Sequence, residues 1–322
     1  MPFVQGLRSV ASISDFWGRR ESIRRPMCAR MGRYIMRPRI KHAGYTQMNE
    51  IVFGQGARIE GLPRQAVNAA ARLWFAIAAV GHWIFLAYIL AVFYPPVAQH
   101  GLEGLKGLHL PAGFREGETL GNLASLSHVL LAAIIIGGGP LQLIPAVRSR
   151  FPTFHRWLGR SYLVAAVLSS IGGIYMSWAR SPIGDVISKA GITGDGVLII
   201  VFAVLAVRTA MARRFAEHRR WALRLFMVAS AVWFFRVGLM GWTTLTGGVG
   251  IDWETFTGPF LYVLGFAQYL LPLAMLEWYF YCQRNASPAA RMAFAVTLSL
   301  MTVYMSIGIF AATAGMWLPR MA

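Results

Sequence analysis

Apolar positions in this chain do not alternate with polar ones at a helical or strand period. They run together in blocks with scarcely a charge. The first block covers residues 69–94 and is followed directly by Pro95-Pro96. Others follow at about residues 120–147, 157–179, 196–212, 221–245, 258–282 and 292–317. A helix rises about 1.5 Å per residue, so some 20 apolar residues cross the roughly 30 Å of hydrocarbon in a bilayer. A helix of a soluble protein would show a charged stripe on its wet face, and these blocks lack one. The pattern predicts an all-α, polytopic transmembrane helix bundle of about seven spans over residues 67–322. The fourth block is the shortest and carries Arg208 near its end. Gly137-Gly138-Gly139-Pro140 falls inside the second block and predicts a kink there, since proline removes a backbone donor and clashes with the preceding turn.

Two of the blocks open alike. His155-Arg156-Trp157-Leu158-Gly159-Arg160-Ser161-Tyr162 begins one, and His218-Arg219-Arg220-Trp221-Ala222-Leu223-Arg224 begins another. Both contain Trp-x-x-Arg, and the interval from Trp157 to Trp178 equals that from Trp221 to Trp242. Arginine and tryptophan suit a membrane boundary, where the guanidinium stays among headgroups and the indole lies in the interfacial belt. The shared frame predicts two like helical units packed side by side.

The loops predict an orientation. Arg148, Arg150, Arg156 and Arg160 join blocks two and three. Arg213, Arg214, Arg219 and Arg220 join four and five, and Arg284 and Arg291 join six and seven. The loops on the other side are balanced or acidic, with Arg180, Asp185, Lys189 and Asp195 in one and Asp252 and Glu254 in another. The positive-inside rule then puts the N-terminus in the cytoplasm and the C-terminus outside. Residues 1–66, rich in arginine and poor in apolar runs, read as a basic, flexible cytoplasmic arm.

Composition agrees and removes some alternatives. The 322 residues are 56% hydrophobic and 14% charged, with a formal net charge of +18. A nucleic-acid binder would gather that charge on one solvated face, whereas here it sits in the first segment and in short loops. The partners expected are the lipid bilayer and, as a further class, subunits of a membrane complex, with no nucleic acid. Cys28 and Cys282 form no metal spacing and no disulfide framework. No phosphate-binding loop, dinucleotide glycine pattern, nucleophile elbow or His-Glu-x-x-His is present. The catalytic and metal-binding residues are therefore left unassigned.

Several of these motifs together resemble an uncharacterised family of bacterial predicted integral-membrane proteins, a domain of unknown function. The likeness rests on His128, Gly-Pro-Leu-Gln-Leu at 139–143, His-Arg-Trp-Leu-Gly-Arg-x-Tyr at 155–162 and His-Arg-Arg-Trp at 218–221, and covers residues 120–245. It implies an integral-membrane fold and brings no substrate. A looser likeness, in helix hairpins that carry histidine, is to cytochrome b-type membrane proteins.

The residues that can carry chemistry are the polar ones inside the spans, because a charge near the bilayer centre costs at least ~2.5–3.5 kcal/mol. His128 and Arg236 fall at nearly the same level, roughly 12 Å inside the outer boundary, and His82 is near the middle of the first block. One reading makes His128 an axial ligand of a b-type haem, with His82 opposite and Arg236 beside a propionate, or places a quinone there. That is a redox protein or redox-complex subunit. A second is a carrier or binding protein for a small anionic or lipid-like ligand at the kinked second helix and Arg236. A third is a non-catalytic subunit in which these side chains only lock the bundle. His155 and His218, at the inner mouths of two blocks, are a further pair for a metal, haem or proton relay, or else cap helix starts.

Overall fold

The computed structural model describes residues 46–108, 113–180 and 184–321, with side chains from residue 61 onward. The arm expected over residues 1–66 lies mostly outside them. The described residues are helical, and their nearest approach to a strand is one antiparallel bridge between Asp252 and Thr257. In order they form α1 (Thr46–His100), α2 (Thr119–Leu143), the short α3 (Pro145–Arg150), α4 (Pro152–Ala179), α5 (Val186–Met211), α6 (Phe215–Ala229), α7 (Ala231–Thr246), α8 (Pro259–Arg284) and α9 (Pro288–Ala312). Six helices are long and apolar enough to cross a membrane; α6 and α7 together make a seventh span if the bent pair counts as one.

Three boundaries differ from the sequence expectation, each for a local reason. Pro95-Pro96 does not end α1, which continues to His100 and then tightens into a 3₁₀ turn, Gly101–Leu105. Gly104 makes that fold-back fit, since a Cβ there would lie 2.2 Å from the Pro96 carbonyl oxygen. The fourth span is not short. It starts at Val186, where the Asp185 carboxylate accepts the backbone N–H of Ser188 at 3.0 Å as an N-cap. That bond holds the Asp185 carboxyl below its ordinary range, so its charge persists at the helix start. Asp195, expected in a loop, is consequently inside the span.

The third difference concerns the kink. α2 runs unbroken through Gly137, Gly138, Gly139 and Pro140, and the chain turns only at Ile144. Only Leu141, Gln142 and Leu143 follow Pro140 in the helix, so little remains beyond it to be bent. The glycines serve packing instead: a Cβ on Gly139 would sit 3.1 Å from Phe226 and 3.2 Å from Tyr162. The sharp break falls at Ser230, where α6 and α7 meet at 48°. There Trp233 N–H donates to Ser230 O at 2.9 Å, a tightened turn that departs from the regular ladder.

α2 packs along α4, α4 and α6 flank α5, and α9 runs along α7. One core gathers Phe85, Ile89, Ile136, Trp233, Ile309 and Trp317; a second gathers Ile135, Tyr162, Ala166, Ile199, Leu225 and Val228. Helices α7 and α9 approach so closely that a Cβ on Gly308 would lie 2.2 Å from the Val237 carbonyl oxygen. At the other side of the fold Arg180, 2% exposed, clasps the end of α4 to the start of α2. Its guanidinium is 3.0 Å from Glu118 and donates to Ser125 Oγ at 3.1 Å and Asn122 Oδ1 at 2.9 Å. Breaking a pair of this kind would leave a buried cation uncompensated.

Candidate functional site

His82 is fully buried and both its ring nitrogens are engaged. Nδ1–H donates to the Ala78 carbonyl at 2.7 Å, so Nε2 accepts from the Ser230 hydroxyl at 3.1 Å. The ring lies 4.1 Å from that of Trp233 and 5.6 Å from that of Phe226. This imidazole pins the break between α6 and α7 to α1. It has no free lone pair to offer a haem iron.

His128 is different. Its Nδ1–H donates to the Ser169 carbonyl at 3.1 Å, which fixes the tautomer and leaves the Nε2 lone pair uncommitted. The ring rests on the bare backbone of Gly173 on α4. Arg236, on α7, is near enough to interact with it electrostatically, though the two do not hydrogen-bond. His128 leans on α4 while Arg236 leans over α1.

Arg236 lies ten residues before the end of α7 at Thr246, about 15 Å along the helix. It spends one donor on its own backbone, Nη1 to Val232 O at 3.1 Å, and its guanidinium sits 5.3 Å over the Phe85 ring. Among the described residues no carboxylate pairs with it. Tyr88 and Arg320 are both within electrostatic range. Trp317 packs at a tilt against Phe85 at 5.0 Å and stacks on Tyr88 at 6.3 Å, and its buried Nε1–H has no acceptor among the described residues. Phe85, Tyr88, Trp317 and Arg320 were not singled out by the sequence. Only the last turns of the chain, where α9 opens into a π turn at Thr313–Trp317, bring Trp317 back against α1. The group is rich in hydrogen-bond donors and a cation, with an aromatic wall and no anion. Guanidinium and indole N–H groups of this kind can donate hydrogen bonds to an oxyanion.

Nothing links His82 to His128, whereas the second histidine pair does come together. His155 and His218 lie within electrostatic range of each other, with Arg148 close by. His218 Nδ1–H donates to Ala206 O at 2.9 Å, tying α6 to α5, and the buried Nδ1 of His155 has no partner. Two imidazoles fall short of a closed metal site, and the described residues hold no group of three or more histidine, cysteine or acidic side chains placed to bind a metal ion.

Fold and site together define a multi-pass helical membrane protein with an unneutralised arginine inside one of its spans. The sequence profile of a family described as "Predicted membrane protein (DUF2306)" matches residues 125–255, from α2 to just past α7. The resemblance expected over residues 120–245 is thus borne out over nearly the same stretch, while the likeness to cytochrome b-type proteins finds no support; His128, His155, His218 and Arg236 lie within the matched span. No curated protein and no solved structure matches the chain.

Proposed function

We propose that this protein binds an amphiphile by an oxyacid head group, a carboxylic acid or phosphate monoester, at Arg236 in a bacterial cytoplasmic membrane. One observation carries the reading: a guanidinium inside a span whose recorded partners are a carbonyl of its own helix and the face of Phe85. A cation at that depth is costly, and an anionic ligand would offset the cost. Tyr88 and the Trp317 indole supply the surrounding aromatic wall. A carboxylate meets Arg236 through its two charged oxygens, whereas the hydroxyl of a phosphate monoester monoanion also donates to the His128 Nε2 lone pair. Carriage of such a molecule across or along the bilayer is the activity this binding serves.

Thermal unfolding in dodecyl maltoside tests it, with dodecanoate and dodecyl phosphate as probes. Both should raise Tm in the parent protein, and Arg236→Gln should abolish the rise. Equal stabilisation of parent and variant, or none in the parent, overturns the reading.

A redox cofactor is the second reading, and one observation favours it. An imidazole whose Nδ1–H is fixed by a carbonyl and whose Nε2 is open is the arrangement metal-ligating histidines use. It would require a single histidine ligand, or a quinone, because His82 is fully engaged. Purified protein would then show a Soret or quinone absorbance, altered by dithionite and weakened by His128→Ala. A preparation with neither a Soret band nor a dithionite-sensitive ultraviolet quinone band eliminates it.

A further inference from the structure

Asp195 stands apart from the region just described. It follows the buried stripe of α5, in line with Gly191, Ile199 and Ala203, which face the interior of the bundle. It is nine residues from the helix start, about 14 Å along the axis, within the candidate span and at the edge of its apolar run. The side chain is 8% exposed, and Oδ1 is buried with no hydrogen-bond partner. No lysine, arginine or histidine among the described residues is paired with it. Tyr269 of α8 is the titratable group that faces it. From α4 the neighbours of this stretch are Ser170 and Ile174, beside Gly196, and α6 packs on α5 further along, through Trp221 on Phe202. The flanking glycines are needed for that closeness. A Cβ on Gly194 would lie 2.9 Å from the Tyr269 hydroxyl, and one on Gly191 3.1 Å from the Gly265 carbonyl oxygen. Glycine thus lets α5 approach α8 with a carboxyl at the contact.

A carboxylate in that position has no cation and no donor to replace its water shell, so the neutral acid is the form the surroundings accept. An acid that is neutral only because it holds a proton is also a place where a proton can be left and collected. Intramembrane carboxyls are rare and commonly belong to ion or proton paths.

We propose that Asp195 is a reversible proton-binding site inside the membrane, with Tyr269 as its neighbour across the α5–α8 contact. The carboxyl is protonated at rest. Deprotonation puts a charge beside the Tyr269 hydroxyl, which is then the nearest group able to donate to it. The site is independent of ligand binding at Arg236 and survives if that reading fails.

Dicyclohexylcarbodiimide, an apolar reagent, attacks protonated carboxyls in apolar surroundings and leaves a stable acylurea that mass spectrometry can map. The full-length protein in dodecyl maltoside should acquire this adduct on Asp195 at neutral pH, and Asp195→Asn, nearly the same shape, should remove it. A water-soluble carbodiimide should mark Asp252 and Glu254 in their exposed loop and spare Asp195. Labelling should decline as pH rises, and Tyr269→Phe should move the decline to higher pH by removing a donor to the charged form. Thermal unfolding checks that both variants remain folded. No adduct on Asp195 in folded protein overturns the proposal. So does an adduct that stays constant at every pH, which marks a permanently neutral residue. Protection by sodium chloride but not choline chloride overturns it as well, in favour of a metal-cation site.

Discussion

α4 and the α6–α7 pair start from the same frame and end differently. In both, an arginine three residues beyond a tryptophan turns back over the indole: Arg160 lies 4.7 Å from the Trp157 ring and Arg224 4.5 Å from the Trp221 ring. Tyr162 and Phe226, at equivalent positions, both face Gly139. Then the two diverge at three further positions. Ala166 corresponds to Ser230, Ser169 to Trp233 and Gly172 to Arg236. α4 stays one helix of 28 residues, whereas its counterpart breaks at Ser230 and bends by 48°. A common frame therefore fixes where a helix enters the membrane, while a few substitutions further along decide whether it stays straight and whether it carries a charge.

The largest test of that difference is Trp233. Its side chain is fully buried, donates through Nε1–H to Gly81 O at 3.2 Å and covers the His82 ring. Trp233→Ala should cost about 3–5 kcal/mol, the range for emptying a large aromatic site. Ser169→Ala, the equivalent change in α4, removes a hydroxyl whose oxygen is buried without a partner and should cost far less. Reversible unfolding in mixed micelles compares the two. Similar losses would mean that the straight and broken copies are held in the same way.

Next in size is the bond at the break. His82→Leu, Ser230→Ala and the double variant form a thermodynamic cycle around a contact that joins α1 to the α6–α7 corner. Polar pairs between membrane helices couple by about 0.6 kcal/mol on average and up to about 1.7 kcal/mol. The His82–Ser230 pair should fall in the upper part of that range, because it is buried and its geometry is fixed by the Ala78 bond. Spin-label distances between the far ends of α6 and α7 read the bend directly. A bend unchanged in the double variant would assign it to Trp233 packing rather than to the hydrogen bond.

This contrast shows which features were legible in the chain. Hydrophobic runs and the Trp-x-x-Arg repeat located the spans, because membrane insertion depends on composition over a whole segment. Arg236 and His128 stood out for the same reason, as polar atoms where polarity is expensive. Pro140 misled because its effect depends on how many turns follow it, and here almost none do. The break at Ser230 has no local signature, since its partner His82 is distant in sequence. Asp195 was hidden by Gly191, Gly194 and Gly196. Glycines at such spacing read as a loop unless another helix is known to need their bare backbone, as α8 does. Trp317 was taken for the end of a span, and nothing in the sequence ties it to Phe85.

The smallest expected effect sharpens the comparison at its third position, where α4 has Gly172 and α7 has Arg236. A Cβ at Gly172 would meet nothing within 4 Å, so this glycine has no close neighbour to spare. Gly172→Ala should then raise stability by about 0.5–1 kcal/mol through helix propensity alone. At Gly308, in the crossing of α9 with α7, the same change should lower stability, because its Cβ would collide with the Val237 carbonyl oxygen. Unfolding of the two alanine variants in one detergent separates propensity from packing. If Gly172→Ala were instead destabilising, the space facing that position would have to be filled in the working protein by a ligand, a lipid or a second copy. That would move the functional weight from α7 toward α4 and make the straight copy, with His128 resting against Gly173, the more important half of the pair.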